Sequence, residues 1–268
     1  MPLAICATPI GNLEDVTLRV LAELAAADVV LCEDTRHTRG LLQRHGIDAR
    51  LLSYHEHNEA QRTAELLPRL EAGERVALVS DAGMPGVSDP GGRLVRAALE
   101  AGVEVTVLPG PSAVETALVA SGLVGGQYRF LGFLPRGEKA LARLWGELVG
   151  WPWPAVAFES PQRLPATLRS LAAAVGPERE VSVCRELTKR FEEVARGTAA
   201  ELAERFSQPP KGEITLVLGP GSARVGDEDV ALAAVAELVA AGVPRKSAAE
   251  IVSRLTGVAR NRLYKASL

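Results

Sequence analysis

Two glycine- and proline-rich segments, roughly thirty residues apart, constrain this chain most. They are Leu78-Val79-Ser80-Asp81-Ala82-Gly83-Met84-Pro85-Gly86 and Val107-Leu108-Pro109-Gly110-Pro111-Ser112-Ala113. Each follows a short apolar run and precedes a helix-like stretch. Six of the twelve residues from Asp81 to Gly92 are Gly or Pro. Glycine lets backbone approach a ligand closely, and proline fixes its course. In an open α/β sheet, ligands bind past the carboxyl ends of strands, so these segments are the expected binding loops. Asp81, at the head of the first, is a candidate to face a polar ligand.

The first 110 residues alternate between strand and helix signals. Strand-like runs cover Leu3–Thr8, Val29–Glu33, Arg50–Tyr54, Val76–Ser80 and Val103–Leu108. Helical patterns fill Thr17–Ala26, Thr38–His45, Glu59–Glu71 and Gly92–Ala101, with Gly46, Gly73 and Gly102 at their ends. Short crossovers between such strands predict an α/β fold with a parallel, doubly wound sheet. A helix over Ser112–Ser121 then meets Gly122, Gly125 and Gly126, the expected boundary. A second α/β domain with a mixed sheet follows, with strands at Tyr128–Phe133, Ala155–Glu159, Glu180–Arg185, Glu193–Arg196 and Glu213–Leu218. Helices are expected at Glu138–Val149, Gln162–Val175 and Ala199–Phe206. Past Gly219-Pro220-Gly221 the strands stop, and Asp227–Ala241, Pro244–Leu255 and Val258–Leu268 read as helices. The expected domains are therefore 1–121, 122–221 and a small helical appendage, 222–268.

At 268 residues with 47% hydrophobic content, the chain can bury a large core. No stretch approaches the apolar length of a membrane span, and Met1–Cys6 lacks the basic start of a signal peptide. The expectation is a cytoplasmic protein. Cys6, Cys32 and Cys184 each lie in an apolar run and form no C-x-x-C pair, so neither disulfides nor a metal site is expected. From Gly242 to Leu268 there are six basic residues, Arg245, Lys246, Arg254, Arg260, Arg262 and Lys265, against Glu250 alone. That tail carries +5 on a chain of net charge −3, so the remainder carries −8. A basic terminus on an acidic body suggests a local anionic partner.

Several familiar sites are absent. No G-x-x-x-x-G-K-S/T occurs, which disfavours a P-loop, and no G-x-G-x-x-G follows the first strand. His55 and His57 alternate at a strand end and read as loop residues in water. Ser112 lacks the final glycine of a nucleophile elbow and reads better as a helix N-cap.

Four further strings complete a pattern: Ala7-Thr8-Pro9-Ile10-Gly11-Asn12-Leu13-Glu14-Asp15, Cys32-Glu33-Asp34-Thr35-Arg36, Phe158-Glu159-Ser160-Pro161-Gln162-Arg163 and Arg185-Glu186-Leu187-Thr188-Lys189. Together with the two opening loops they resemble the S-adenosylmethionine-dependent tetrapyrrole methylase superfamily, from Pro2 to about Gly219. Within it the chain is most similar to a branch that methylates the ribose 2′-hydroxyl of a cytidine in the decoding region of 16S rRNA. The resemblance implies two α/β domains with the cofactor in a cleft between them, usually in a homodimer. It implies that S-adenosylmethionine is held by Ile10, Asp81, Met84, Ser112 and Ala113. The second domain would supply Phe158, Leu187 and a backbone contact near Ile214 or Thr215. Met84 departs from the branch, which more often has Thr there, so a hydroxyl contact is lost. The substrate implied is 16S rRNA or the small ribosomal subunit, with no membrane partner.

Methyl transfer from a sulfonium is an in-line displacement, so the protein must align the reactants and exclude water. A ribose hydroxyl attacks only once a base takes its proton. Glu33, Asp34 and Glu186, all at strand exits, are the candidate bases. Lys189, Arg36 and Arg185 are candidates to hold phosphates or favour the ionised oxygen. The alternative for Glu33–Arg36 is helix capping with a surface ion pair, and for Glu186 and Lys189 a surface i,i+3 pair. The tail from Gly242 is expected to grip RNA backbone. A rival enzyme reading is methylation of a corrin or porphyrin precursor; a rival non-enzymatic one is a cofactor-binding sensor.

Overall fold

A computed structural model describes residues 2–221 and 228–267. Strand β1 (Leu3–Cys6) passes through one 3-10 turn (Leu13–Asp15) to helix α1 (Leu18–Ala26). Next come β2 (Val29–Cys32), α2 (Thr35–Arg44), β3 (Leu51–Ser53), α3 (Glu59–Glu71), β4 (Val76–Val79), α4 (Gly92–Glu100), β5 (Val105–Leu108) and α5 (Ala113–Ser121). The chain continues through β6 (Arg129–Phe133), α6 (Glu138–Leu148), β7 (Ala155–Glu159), α7 (Leu164–Val175), β8 (Glu180–Arg185), β9 (Glu193–Thr198), α8 (Ala199–Arg205) and β10 (Ile214–Leu218). It ends in α9 (Glu228–Ala240), α10 (Arg245–Thr256) and α11 (Arg260–Ala266).

The first sheet has the order β3-β2-β4-β1-β5 and its pairings are parallel, with Leu3 opposite both Val76 and Val105. Strand alternation builds one core on each face. Leu3, Ile5, Val29, Leu31, Val76 and Leu78 meet Leu66 and Leu70 of α3 and Leu94 and Ala98 of α4. Ala4, Cys6, Val30, Cys32, Ala77 and Val79 meet Val20 and Leu24 of α1 and Leu42 of α2 on the other. Apolar side chains on both faces explain why these strands read as unbroken hydrophobic runs. Helices α1 and α2 thus cover one face, and α3 and α4 the other. Strand β4 lies between β1 and β2, and its connection leaves to the opposite face from theirs. That makes the exit of β4, where Asp81 sits, the topological switch point of the sheet.

Helix α2 starts at Thr35, three residues before the predicted Thr38. Asp34 caps it, accepting the Arg36 N–H at 2.8 Å, and the polar first turn carries no apolar periodicity to mark it. The Thr17 hydroxyl caps α1 by accepting the Val20 N–H, and Thr198 with Glu201 forms a capping box on α8. The three cysteines are buried and none is in a disulfide among the described residues, and burial pushes the Cys6 thiol up to about 12.

The second sheet has the order β6-β7-β10-β8-β9, with β6 and β7 parallel. Strands β8 and β9 are joined by seven residues, too few for a crossover. The Ser182 hydroxyl donates to the Ala195 carbonyl, and Arg185 pairs with Glu193 at 2.8 Å. As β8 advances β9 retreats, so the two form an antiparallel hairpin.

The chain divides into two compact units. The first comprises the residues up to Ala120, Cys184–Val194 and Gly212–Thr215; the second comprises Ser121–Val183, Ala195–Lys211 and the residues from Leu216 onward. One division between the units falls between Ala120 and Ser121. The expected boundary between 221 and 222, and the helix start at Asp227, lie outside the described residues. Helices α9 to α11 share a core of Ala231, Val235, Ala248, Ala249, Val252, Val258 and Leu263, and belong to the second unit.

A buried arginine fastens the second unit. Arg179 is only 8% exposed. Its guanidinium donates to the carbonyls of Gly219, Val149 and Leu148 at 2.8, 3.2 and 3.2 Å. It thereby satisfies carbonyls at the end of α6 that the helix itself leaves open.

Candidate cofactor and substrate site

Four segments of the first unit converge beyond the carboxyl end of its sheet. Thr8 and Gly83 exchange backbone hydrogen bonds at 2.9 and 3.1 Å, tying the exit of β1 to that of β4. A Cβ on Gly83 would lie 3.7 Å from the Ile10 side chain and 3.8 Å from the Pro111 carbonyl. Gly83 also has φ +79°, a conformation glycine adopts without strain. A Cβ on Gly11 would come within 2.5 to 2.9 Å of Lys189, Thr188 and the Leu187 carbonyl. The Asn12 N–H donates to the Thr188 hydroxyl at 2.9 Å. The exits of β1, β4 and β5 and the turn after β8 are thus in direct contact, and glycine is what permits it.

Within this group Ile10 and Leu187 are buried, as are Ile214 and Thr215 at the start of β10. Asp81 is half-buried, and one carboxylate oxygen accepts the Asp34 N–H at 3.2 Å. Met84 packs against the core cluster of Leu3, Ile5 and Leu78, so at least part of this side chain serves the core. Ser112 stands just before α5; its carbonyl accepts the Thr116 N–H at 3.1 Å and its hydroxyl pairs with the Glu115 carboxylate. Ala113 begins α5. Phe158 belongs to the second unit. Its ring contacts Phe130 at 5.2 Å and Phe133 at 5.4 Å.

The candidate acids separate by environment. Asp34 is committed to capping α2 and to Arg36, whose Nη2 lies 2.7 Å away. The Arg36 guanidinium and backbone N–H hold its carboxyl far below the usual carboxylate range. The capping alternative for Glu33–Arg36 therefore describes Asp34. Glu186 Oε1 accepts the Glu213 N–H at 2.9 Å and the Lys189 ammonium at 3.0 Å. These bonds, the backbone one first, hold its carboxyl down. Burial opposes the charge of Lys189, but hydrogen bonds to Glu213 and Glu186 outweigh it and the ammonium is held up. Glu33 differs. Although Glu33 is exposed, what burial its carboxyl has, followed by the nearby Asp81 charge, raises it, with His55 opposing and Glu56 adding.

Asp89, which no sequence motif marks, joins this group. Burial, then Glu33 and Asp81, raise its carboxyl to about 6, against a hydrogen bond from Ser80. Glu33, Asp81 and Asp89 are thus close enough to feel one another's charge near the exit of β4. His55 lies beside it and is not simply a solvated loop residue. Its Nδ1 is buried without a hydrogen-bond partner among the described residues, while Nε2 faces the Asn58 amide at 3.2 Å.

Among the described residues no group of three or more His, Cys, Asp or Glu is arranged to hold a metal. The site instead suits a cationic nucleoside: apolar Ile10 and Leu187, backbone laid open by glycine, and clustered carboxylates. Arg185 is paired with Glu193. Arg36 is 86% exposed on its side chain. In the tail, Lys246, Arg254, Arg260, Arg262 and Lys265 are exposed, and Arg245 is half-buried.

The tetrapyrrole (corrin/porphyrin) methylase family pattern matches residues 2–203. A protein of Mesorhizobium japonicum named ribosomal RNA small subunit methyltransferase I is 46% identical over 266 residues, covering 98% of this chain and 90% of its own. The protein of that name from Escherichia coli O157:H7 is 40% identical, covering 99% and 94%. The one from Thermotoga maritima is 48% identical, covering 81% and 97%. Among solved structures, uroporphyrin-III-C-methyltransferase from Thermus thermophilus shares the fold, with TM-score 0.58, 24% identity, and coverage of 81% of this chain and 93% of that one. The methyltransferase CobJ does so with TM-score 0.63, 19% identity, and coverage of 81% and 93%. The chain belongs to the tetrapyrrole methylase family and, within it, to the ribosomal RNA small subunit methyltransferase I group.

Proposed function

We propose that this chain transfers the methyl group of S-adenosylmethionine to the ribose 2′-hydroxyl of a cytidine in 16S rRNA. The observation that carries the reading is the convergence of the β1, β4 and β5 exits and the turn after β8 on Gly83 and Gly11, with Asp81 at the exit of β4. It stands in a chain whose relatives at 40 to 48% identity are named for rRNA methylation. S-adenosylmethionine, when bound, supplies an electrophilic methyl on a cationic sulfur.

Ile10, Asp81, Met84, Ser112, Ala113, Leu187 and the backbone at Ile214 or Thr215 would hold that group. Asp81 lends charge complementary to the sulfonium and the ammonium. Glu33 is the base of choice. Its carboxyl is raised, so its proton affinity is closer to the working pH than that of Asp34 or Glu186, whose lone pairs are already engaged. Lys189, kept protonated, would stabilise the developing alkoxide rather than take a proton. Arg36, Arg185 and the basic tail would contact RNA phosphates.

The reading includes a homodimer, checked by light scattering, and a cytoplasmic site of action, where ribosomal subunits are found. Transfer of tritium from labelled S-adenosylmethionine into small-subunit particles, with the modified nucleotide mapped, tests it. A corrin or porphyrin precursor offered in parallel decides the rival substrate class. Transfer to the precursor alone, or methylation at a base, overturns the assignment.

A further inference from the structure

We propose that Arg190 and Phe191, at the tip of the β8–β9 hairpin, form a stacking platform for an unpaired nucleotide of the RNA substrate. This rests on the reading that the chain acts on rRNA. Phe191 is 64% exposed although it is large and apolar. The Arg190 guanidinium stands 5.5 Å from the ring centroid. One face of the ring is thus backed by a cation, and most of the side chain is left to solvent. A base stacked on that ring would complete a cation–aromatic–base stack, with the guanidinium within reach of the flanking phosphate.

The hairpin is built to hold this pair still. Glu186 and Thr188 both have positive φ, +53° and +65°, which side chains other than glycine adopt only under constraint. The constraint is visible. Lys189 N–H donates to the Glu186 carbonyl, and Glu192 N–H to the Lys189 carbonyl, both at 3.0 Å. The Thr188 N–H donates to the Glu192 carboxylate at 2.5 Å, while its hydroxyl accepts from Asn12. Gly11 closes against Lys189, so the tip is anchored to the exit of β1 beside the candidate site.

Charge favours RNA over an acidic or neutral occupant. Glu186 is engaged by Lys189, Glu192 by the Thr188 N–H, and Glu193 by Arg185. Among the described residues, no carboxylate lies within 4.0 Å of the Arg190 guanidinium. Within the hairpin tip, the cation left for an incoming anion is therefore the one over the ring.

The test uses Phe191→Ala, Phe191→Trp and Arg190→Ala in the full chain. Phe191→Ala should raise KM for small-subunit particles roughly ten- to hundredfold, with cofactor affinity by calorimetry unchanged. Phe191→Trp should restore KM, and its fluorescence should be quenched by a single-stranded oligoribonucleotide. Arg190→Ala should flatten the salt dependence of RNA binding by about one phosphate contact. Unchanged KM and salt slope in both alanine variants overturns the platform. Quenching by RNA-free ribosomal protein, but not by the oligonucleotide, also overturns it. Should the wild-type chain methylate no rRNA, the function fails separately. The oligonucleotide titration of Phe191→Trp then decides the platform alone.

Discussion

The Asp34 N–H donates to the Asp81 carboxylate at 3.2 Å, which ties the exit of β2 to the exit of β4. Replacing Asp81 by Asn keeps that acceptor and removes only the charge. The expected outcome is a normal melting temperature with S-adenosylmethionine affinity reduced at least about tenfold, a loss of about 1.4 kcal/mol. Calorimetry measures it. Unimpaired binding by Asp81→Asn would mean that the acid ties loops together and leaves the cofactor alone.

Protonation follows from the same cluster. The Asp89 carboxyl is raised to about 6 because burial and the charges of Glu33 and Asp81 penalise its ionised form. A folded state that binds the proton more tightly than the unfolded chain is favoured at low pH. That contribution is fully present below about 4, the ordinary aspartate value, and is lost as pH rises through about 6. Solvent access to the group reduces its size to about 1 kcal/mol. Asp89→Asn should therefore flatten the fall in melting temperature between pH 4 and 6. A cationic ligand favours the ionised carboxylates, so cofactor binding should tighten over the same range and release protons. Calorimetry in buffers of different ionisation enthalpy reads that release. A pH-independent affinity contradicts it.

Glu33→Gln separates chemistry from binding. The amide keeps the shape but takes no proton. A positioned base contributes about 100- to 10,000-fold, so kcat should fall by that order while KM for the particles changes little. An undiminished kcat at pH 7 returns the role to solvent or to another group.

What the sequence made legible was whatever depends on backbone. The strand exits at Gly83 and Gly110 announce themselves because only glycine and proline suit them. Alternating apolar runs announce a sheet covered on both faces. Individual side-chain roles were harder. Asp34 reads as a base or as a cap, since the same residue type serves both, and only the start of α2 at Thr35 reveals the capping bond. Asp89 lies eight residues from Asp81, yet only the turn of that loop brings it near Glu33. The positive φ of Glu186 and Thr188 carries no glycine signal, so the strained hairpin tip was invisible. The resemblance offers Phe158 as a cofactor contact and says nothing of its ring neighbours. Its contact with both Phe130 and Phe133 depends on a register shift in β6 that no periodicity predicts.

The buried guanidinium of Arg179 gives a stability prediction independent of function. Its three acceptors are carbonyls, so no carboxylate would be stranded by its removal. Arg179→Met fills similar space and takes the donor from the Gly219 and Val149 carbonyls, while the Leu148 carbonyl keeps the Trp151 N–H. Unpaired buried polar groups cost about 1–3 kcal/mol each, so a loss of about 2–4 kcal/mol is expected in denaturant unfolding. An unchanged midpoint would mean that water replaces the guanidinium.

The tail tests the electrostatic half of the reading without disturbing the fold. Arg254, Arg260 and Lys265 are exposed, while α10 and α11 are held by Ala248, Ala249, Val252 and Leu263 beneath them. Changing the three cations to Gln should therefore spare the melting temperature. Each phosphate contact contributes about 0.7 to 0.9 to the slope of log affinity against log salt. Loss of three should flatten the slope by about 2 and weaken binding most at low salt. Cofactor affinity should be untouched, because the cluster at Asp81 belongs to the other unit. A slope that does not move assigns these cations to solvation of a helical face, and RNA grip then falls to Arg36, Arg185 and the hairpin tip.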